Sequence, residues 1–218
     1  RVTPLPDGAN MSEAAALQVA YGTSHVALGY KAGLKTGETM LVLGAAGGVG
    51  LTAVEIGKLM GAKVIACARG ADKLAVAKAA GADHLIDAET DDIREAVRAL
   101  GGADVVYDPV GGSFSEPALR AIAWEGRFLV IGFAAGEIPK PPLNLALLKG
   151  CQIIGVFWGA WTMMFPDENQ KNFQELFELY AAGKINPEIA DRFPLADAGQ
   201  AIAHLKDRKA RGKVIIDV

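Results

Sequence analysis

Short apolar runs rich in Val, Ile and Leu recur along the chain, and Ala-rich amphipathic stretches separate most of them. Six runs have the continuous hydrophobicity of strands that are buried on both faces of a parallel sheet. They are Met40–Leu43, Val64–Cys67, His84–Ile86, Asp104–Tyr107, Arg127–Ile131 and Gln152–Phe157. Crossover helices are predicted at Leu51–Met60, Ala71–Ala80, Asp91–Leu100 and Ser115–Trp124. This alternation of strand and helix predicts an α/β fold with a doubly wound parallel sheet.

Both ends of the chain depart from this alternation. Ser12–Lys31 is predicted to form a long helix before the first strand, and the proline-containing segment Arg1–Gly8 an extended connector. Near the other end, Leu195–Lys206 is predicted as an amphipathic helix and Lys213–Val218 as a strand with no obvious neighbour. Because an unpaired strand exposes its backbone hydrogen-bonding groups, we expect its partner sheet to lie in polypeptide outside this sequence.

Composition and charge exclude several classes of partner. The chain has 22 Lys+Arg and 25 Asp+Glu, a formal net charge of -3, and no basic run that would neutralise the phosphates of a nucleic acid. The longest apolar run, Ile153–Phe165, is too short for a membrane span. No signal peptide or disulfide framework is evident, so we expect a soluble cytoplasmic protein. Its three histidines and two cysteines lack the spacing of metal ligands, and no metal is predicted.

A glycine-rich segment directly follows the first predicted strand and opens the first crossover helix. It consists of Leu43-Gly44-Ala45-Ala46-Gly47-Gly48-Val49-Gly50. Glycine lets the backbone approach a pyrophosphate closely, and a helix N-terminus offers unpaired N–H groups and a positive dipole end to an anion. A tight turn without a ligand is the alternative, but the strand before the segment and the helix after it favour a nucleotide. We therefore predict that Ala46, Gly47, Gly48, Val49 and Gly50 bind one.

The end of the second predicted strand indicates which nucleotide binds. NAD-binding domains place an Asp or Glu there, against the adenosine ribose, yet no acidic residue occurs between Gly61 and Ala71. Arg69 and Lys73 stand there instead, and a guanidinium and an ammonium group suit a 2′-phosphate. Ordinary solvated charges are the alternative. The sequence therefore favours NADPH as the cofactor.

Two spacings also fit the short-chain dehydrogenases: Gly44-x-x-x-Gly48-x-Gly50, and Tyr180-x-x-x-Lys184, which matches their catalytic pair. Such enzymes begin their first strand near the N-terminus, whereas here it begins at Met40. Gly183 predicts that the helix carrying Tyr180 ends before Lys184, so the two side chains would not share a helix face. We therefore expect Tyr180 to be an ordinary helix residue.

Further motifs are distributed over the chain. They are Pro4-Leu5-Pro6-Asp7-Gly8, Glu13-Ala14-Ala15-Ala16-Leu17, Gly37-Glu38-Thr39, Lys73 with Gly81-Ala82-Asp83, Asp108-Pro109-Val110-Gly111-Gly112 and Gly212-Lys213-Val214. Together with the glycine-rich segment they resemble the medium-chain dehydrogenase/reductase superfamily, in its zinc-free quinone oxidoreductase branch. The resemblance implies that a GroES-like catalytic portion precedes such a chain. Residues 1–185 would then form the NADP(H)-binding domain, and residues 186–218 would return to complete the catalytic domain.

The resemblance also implies cofactor contacts beyond the glycine-rich segment. Val110 and Gly111 would face the nicotinamide ribose, and Gly132 and Phe133 would lie beside the nicotinamide. Three further residues matched to the family pattern are Thr23, Phe157 and Trp158. Each has a structural alternative, since glycines serve in turns, aromatic residues in cores or interfaces, and Thr inside helices. Asp87-Ala88 stands where many relatives carry a Tyr near the adenine, which predicts looser adenosine binding.

The activity implied by the resemblance is NADPH-dependent transfer of a hydride to a quinone or another electron-poor conjugated acceptor. No catalytic residue is assigned. Reduction of an enoyl thioester is the alternative reaction, and an NADPH-binding module without turnover is the alternative class. The apolar segment near residues 152–158 would be a sheet edge, and relatives pair such edges, which predicts a homodimer. Burial of this edge under the helices that follow it is the alternative.

Overall fold

The computed structural model describes residues 4–5, 8–207 and 209–218. Within these residues, six strands form one parallel sheet: β1 (Thr39–Leu43), β2 (Lys63–Ala68), β3 (His84–Asp87), β4 (Ala103–Asp108), β5 (Ile122–Val130) and β6 (Gln152–Gly155). Their order is β3-β2-β1-β4-β5-β6. The prediction of a doubly wound α/β fold is therefore confirmed. The direction of winding reverses between β1 and β4, which is where ligands bind in such sheets.

Helices cover both faces of the sheet. The described residues form α1 (Met11–His25), α2 (Gly50–Leu59), α3 (Ala71–Ala79), α4 (Ile93–Ala99), α5 (Ser115–Arg120), α6 (Asn144–Lys149), α7 (Trp158–Met164), α8 (Pro166–Ala181) and α9 (Ala198–Lys206). Side chains of β1 alternate between two cores: Met40 and Val42 pack with α1, α2 and α8, whereas Leu41 and Leu43 pack with α4 and α5. Burial on both faces explains why β1 is continuously apolar.

The long helix predicted before β1 is present in two parts. Asn10 caps the N-terminus of α1, because its side chain accepts hydrogen bonds from the backbone of Ser12 and Glu13. The chain then continues as a π-helical segment over Val26–Lys31. Of the predicted connector Arg1–Gly8, residues 1–3 and 6–7 lie outside the described residues. No helix among the described residues combines the length and the hydrophobicity of a membrane span.

The prediction of a helix over Ser115–Trp124 is wrong for residues 121–124. α5 ends at Arg120, and β5 begins at Ile122. The register of β5 against β4 is irregular near the start of the strand, where Glu125 adopts a φ of 58°. Glu125, Gly126 and Arg127 interrupt the apolar residues of β5, so its first part lacks the continuous apolar run by which the other strands were predicted.

The prediction that Lys213–Val218 has no sheet neighbour is also wrong. Within the described residues, β8 (Lys213–Asp217) pairs in parallel with β7 (Ile189–Pro194) to form a separate sheet of two strands. β7 alternates between half-buried and exposed positions and includes two charged residues and a proline. Its pattern therefore resembles that of a loop more than that of a buried strand.

Candidate cofactor site

The glycine-rich loop connects β1 to α2 at the carboxyl edge of the sheet. Its tightest point is Gly50, where an added Cβ atom would lie 2.2 Å from the carbonyl oxygen of Gly44. The backbone N–H of Gly47 donates a hydrogen bond of 2.9 Å to that same oxygen. The loop therefore brings the N-terminus of α2, with its positive dipole end, to the point where the winding of the sheet reverses.

A buried polar network supports the loop from behind. The hydroxyl of Ser24 on α1 lies 2.8 Å from the hydroxyl of Thr52 and 2.8 Å from that of Tyr107. The hydroxyls of Ser24 and Thr52 also donate to the carbonyl of Val49, at 3.2 and 2.9 Å. Burial raises the pKa of Tyr107, so its phenol remains protonated at ordinary pH. The network therefore connects α1, α2 and β4 beneath the loop.

Residues near the start of β8 hold the loop from the other side. The backbone N–H of Gly212 donates to the carbonyl of Ala46 at 3.1 Å, and Gly212 forms an isolated parallel bridge with Gly47. Gly212 has a φ of +84°, and a Cβ added there would lie 2.6 Å from the carbonyl oxygen of Glu188. Only glycine fits this position without strain. The side chain of the next residue, Lys213, lies over Gly48.

Asp108 organises the loop after β4. Its side chain is 3% exposed; Oδ1 accepts hydrogen bonds of 2.8 Å from the backbone N–H groups of Val110 and Gly111. Oδ2 accepts one of 2.5 Å from the hydroxyl of Ser115. Its backbone carbonyl accepts from the N–H of Gly132, at 3.3 Å. One buried carboxylate residue thus fixes two loops that contain predicted cofactor contacts.

These loops are also in contact with each other. A Cβ atom on Gly44 would lie 2.8 Å from Cγ2 of Val110, and one on Gly111 would lie 3.0 Å from Cδ1 of Phe133. Phe133 is 42% exposed. The residues predicted after β1, β4 and β5 therefore form one continuous surface.

The residues predicted after β6 and on α1 are placed differently. Phe157 is 78% exposed and lies beyond the end of β6, not within the strand as predicted. Trp158 packs on α1, where a Cβ atom on Gly22 would lie 2.9 Å from Cζ2 of its ring. The hydroxyl of Thr23 donates to the carbonyl of Val19, at 2.6 Å. The structure therefore uses that hydroxyl within its own helix.

The basic residues predicted to read a 2′-phosphate follow β2, beside the N-terminus of α3. Arg69 is exposed and Lys73 is half-buried. Asp87, at the end of β3, accepts a hydrogen bond of 3.1 Å from the N–H of Gly70, and bonds from the backbone of Gly70 and Glu89 lower the pKa of Asp87. The carboxylate of Asp87 therefore lies close to this basic segment in space, and Asp72 within the segment pairs with Arg211 at 2.9 Å.

Two parts of the site were missed as functional candidates in the sequence. Asp108 could have been recognised from the local sequence. An Asp side chain often accepts hydrogen bonds from the backbone N–H groups two and three residues later and so closes a turn. Gly212 and Lys213 stand in a motif of the family resemblance, but their role at the loop is not visible in it, because their contacts are with a segment far away in the chain. Within the described residues, no group of three or more His, Cys, Asp or Glu side chains is arranged to hold a metal ion.

A doubly wound sheet with a glycine-rich loop and a helix N-terminus at its reversal point defines a dinucleotide-binding domain of the dehydrogenase class. Comparison with known proteins agrees. A family model described as zinc-binding dehydrogenase matches residues 48–181. The chain belongs to the medium-chain dehydrogenase/reductase superfamily, among its quinone oxidoreductase-like proteins.

Individual relatives match nearly the whole chain. The quinone oxidoreductase-like protein 2 of Bos taurus is 37% identical over 98% of this chain and 62% of its own length. The quinone oxidoreductase of Pseudomonas aeruginosa is 31% identical over 99% of this chain and 67% of its own length. Among solved structures, the quinone oxidoreductase of Escherichia coli complexed with NADPH has a TM-score of 0.90 and 29% identity, over 99% of this chain and 68% of that one.

The chain is shorter than these relatives. It spans 60% of the length of the quinone oxidoreductase-like protein 2 homolog of Nematostella vectensis, to which it is 36% identical. The matched region is the C-terminal part of the relatives. This agrees with the resemblance that the sequence motifs indicated.

Proposed function

We propose that the chain is the cofactor-binding part of an NADPH-dependent oxidoreductase that transfers a hydride to a quinone or to another electron-poor conjugated acceptor. The observation that carries this proposal is the loop Ala46–Gly50, placed at the reversal point of the sheet with Arg69 and Lys73 at the end of the neighbouring β2. Relatives named quinone oxidoreductase, one of them solved with NADPH, support it.

The site fits a dinucleotide. The space beside Gly50 and Gly44 is too narrow for any side chain, so the backbone itself would form the surface that meets the pyrophosphate. N–H groups in the first turn of α2 would bind its oxygens. Val110 and Gly111, held by Asp108, would orient the nicotinamide ribose.

The remaining residues would position the reacting ring. Gly132 and Phe133 would lie beside the nicotinamide, and the exposed ring of Phe157 would exclude water together with Trp158. When bound, reduced nicotinamide supplies the hydride. The chain's own contribution is to hold that ring in one orientation at the edge of the sheet, where an acceptor can approach.

We also propose a division of the chain into two parts. Residues 1–185 would be the nucleotide-binding domain, and residues 186–218 would belong to the catalytic domain of the longer relatives. The separate sheet formed by β7 and β8 supports this division. Gly212 and its contact with Ala46 would then join the two parts at the cofactor loop.

NADPH is expected to bind this chain more tightly than NADH, by about 1.5 to 3 kcal/mol or roughly 10- to 150-fold, through charge-assisted contacts with the 2′-phosphate. Arg69→Ala is expected to reduce this preference about tenfold and to leave NADH affinity unchanged. Fluorescence titration of both cofactors measures the ratio. Arg98→Ala is the control, because Arg98 is an exposed arginine on α4 and should not alter the ratio. Equal affinities of the parent chain for the two cofactors would refute the assignment.

We propose further that two copies of the chain associate through β6 and the residues up to 158. β6 is an edge strand, and Ile153 on it is 41% exposed. An uncovered apolar edge pairs readily with another strand.

Light scattering at micromolar concentration is expected to give the mass of a dimer. Ile153→Lys should shift the mass toward that of a monomer, since the charge would be buried between the edges. Leu59→Lys, at an exposed apolar position on α2, should leave the mass unchanged. A parent chain that is monomeric at these concentrations would contradict the proposal.

A further inference from the structure

Three hydroxyl groups are buried side by side where α1, α2 and β4 meet, in a core that is largely apolar. Ser24, Thr52 and Tyr107 are each at most 3% exposed, and apolar side chains such as those of Leu17 and Val42 belong to the surrounding core. Burying a hydroxyl costs free energy unless it is hydrogen-bonded. Apolar residues of similar size could join the same elements without that cost, so the hydroxyls call for an explanation beyond packing.

The hydrogen bonds of these three side chains form a hydroxyl relay with one direction. Among the described residues, Ser24 is the sole hydrogen-bond partner of the Tyr107 hydroxyl, at 2.8 Å. Burial raises the pKa of Tyr107, and a buried proton without an acceptor is costly, so Tyr107 donates to Ser24. The proton of Ser24 then points onward, to Thr52 at 2.8 Å or to the carbonyl of Val49 at 3.2 Å. Thr52 lies closer to that same carbonyl, at 2.9 Å, than to the carbonyl of Ala20, at 3.2 Å. The hydroxyl relay therefore ends at the carbonyl of Val49.

The carbonyl of Val49 belongs to the peptide unit that begins α2. It also accepts the backbone N–H of Ala53, at 3.2 Å, in addition to the hydroxyls of the relay. The N–H of a trans peptide points away from its carbonyl, and the N–H of this peptide belongs to Gly50, the first residue of α2. Holding the carbonyl on the inner side therefore directs the Gly50 N–H toward the N-terminal end of the helix, where the glycine-rich loop lies. Hydrogen bonds to the carbonyl also strengthen the N–H of the same peptide as a donor.

We propose that the hydroxyl relay aims the N–H of Gly50 at the pyrophosphate of the dinucleotide, which makes Tyr107 and Ser24 positioning residues for cofactor binding. The inference rests on the proposed function, since it explains how the same site is held ready for its ligand. The hydroxyls act through the Val49–Gly50 peptide and do not themselves touch the cofactor. Because NADPH and NADH share the pyrophosphate, the effect of the relay is the same for both, unlike that of a contact with the 2′-phosphate.

Fluorescence titration of NADPH and NADH against the parent chain and its variants measures the effect on binding. Tyr107→Phe and Ser24→Ala each remove one hydroxyl and are expected to weaken the binding of both cofactors by roughly 3- to 10-fold, with their ratio unchanged. Thr52→Val should have the same effect. Thr52→Ser keeps the hydroxyl and should stay within about twofold of the parent.

Tyr21→Phe is the matched control, because Tyr21 is a second buried tyrosine, 1% exposed. Its hydroxyl donates to Glu55 on α2 and takes no part in the relay. Tyr21→Phe should lower the free energy of unfolding in urea, as Tyr107→Phe does, because each loses a buried hydrogen bond. It should nevertheless leave the affinity for both cofactors within about twofold of the parent.

The amide signal of Gly50 can be observed selectively by nuclear magnetic resonance. Valine is directly followed by glycine at Val49-Gly50 and Val110-Gly111 and nowhere else in the sequence. Labelling valine carbonyls with ¹³C and glycine nitrogens with ¹⁵N therefore restricts a carbonyl-filtered amide spectrum to Gly50 and Gly111. Val110→Ile removes the signal of Gly111 and so assigns both.

This spectrum separates the aiming of the Gly50 N–H from a merely structural role of the relay. Saturating NADPH is expected to move the Gly50 proton signal downfield, as the N–H binds a phosphate oxygen. In saturated Tyr107→Phe the movement should be smaller by roughly 10 to 30%, the share by which one hydrogen bond strengthens the next in a chain. Gly111 donates its N–H to Asp108, and its signal should move equally in both proteins.

Three results would overturn the inference. They are parent-like affinity for both cofactors in Tyr107→Phe, a loss confined to NADPH, and a parent-like Gly50 signal in saturated Tyr107→Phe, which would leave the relay a purely structural role. If Tyr107→Phe does not fold, Thr52→Val and Thr52→Ser decide the question by the same measurements. A parent chain that binds neither cofactor would overturn the proposed function, and this inference with it. Binding by the parent with no effect of the relay variants would overturn this inference alone.

Discussion

Gly50→Ala is expected to abolish measurable NADPH binding and to lower the free energy of unfolding by about 3 kcal/mol. The new Cβ would lie 2.2 Å from the carbonyl oxygen of Gly44, 2.8 Å from its carbonyl carbon and 3.0 Å from Cα of Ala45. All three are backbone atoms, which cannot turn away as the end of a flexible side chain can. The loop would therefore have to separate from α2, and the N–H groups that should bind the pyrophosphate would move with it.

Urea denaturation and NADPH titration measure the two effects of Gly50→Ala separately. Gly199→Ala is the matched control: Gly199 lies within α9, and no heavy atom outside its own helix backbone and chain neighbours would come within 4 Å of an added Cβ. It should leave NADPH affinity unchanged and stabilise the chain slightly, by up to about 1 kcal/mol. Parent-like NADPH affinity in Gly50→Ala would show that the pyrophosphate does not depend on this loop.

The 218-residue chain alone is expected to reduce quinones about a thousandfold more slowly than a polypeptide that also carries the N-terminal portion of its relatives. Hydride transfer requires the acceptor to be held within roughly 3 to 3.5 Å of the donor carbon. Every site residue proposed here would contact the cofactor or hold a loop that does, and none is proposed to hold the acceptor. The chain would therefore bind NADPH but leave the acceptor free to diffuse.

The experiment joins this chain to the N-terminal portion of the Pseudomonas aeruginosa relative, or mixes the two, and measures turnover with quinone and enoyl thioester acceptors. The joined polypeptide carrying Gly50→Ala is the control and should be inactive. Turnover of about 1 per second or faster by the chain alone would place the acceptor site wholly within these residues. NADPH binding without turnover of either acceptor, even in the joined polypeptide, would favour a binding module.

All six strands of the parallel sheet were predicted from continuous apolar runs, and the central strands buried on both faces carry the clearest of these runs. β1 and β2 consist almost entirely of buried apolar residues, so composition alone marks them. β7 could not be found in this way, because it has a solvent-exposed side and depends on its pairing with β8. The end of α5 was misplaced because the irregular start of β5 follows a tertiary contact with β4, not a local preference.

The same distinction applies to the candidate site: an arrangement that is local in the sequence could be predicted, and one that depends on distant segments could not. The segment Ala46–Gly50 could be predicted because the strand, the glycines and the helix are contiguous, so the whole geometry is local. The arrangement around the Asp108 side chain is nearly local, since its hydrogen-bond partners lie within seven residues. The position of the Lys213 side chain over Gly48 depends on how β7, β8 and α9 pack against the glycine-rich loop. The sequence around Lys213 does not predict this packing.

The bridge between Gly47 and Gly212 also joins two residues that are synthesised far apart in time during translation. The residues of the six-stranded sheet, up to Gly155, are synthesised before Gly212. The glycine-rich loop can therefore fold before Gly212 and Lys213, which lie against it, have been added to the chain. Contact with Ala46 and the cation of Lys213 are added only later. The contacts that hold Ala46 and Gly47 from the side of Gly212 are therefore complete only after residue 212 has been synthesised and its segment has docked on the loop.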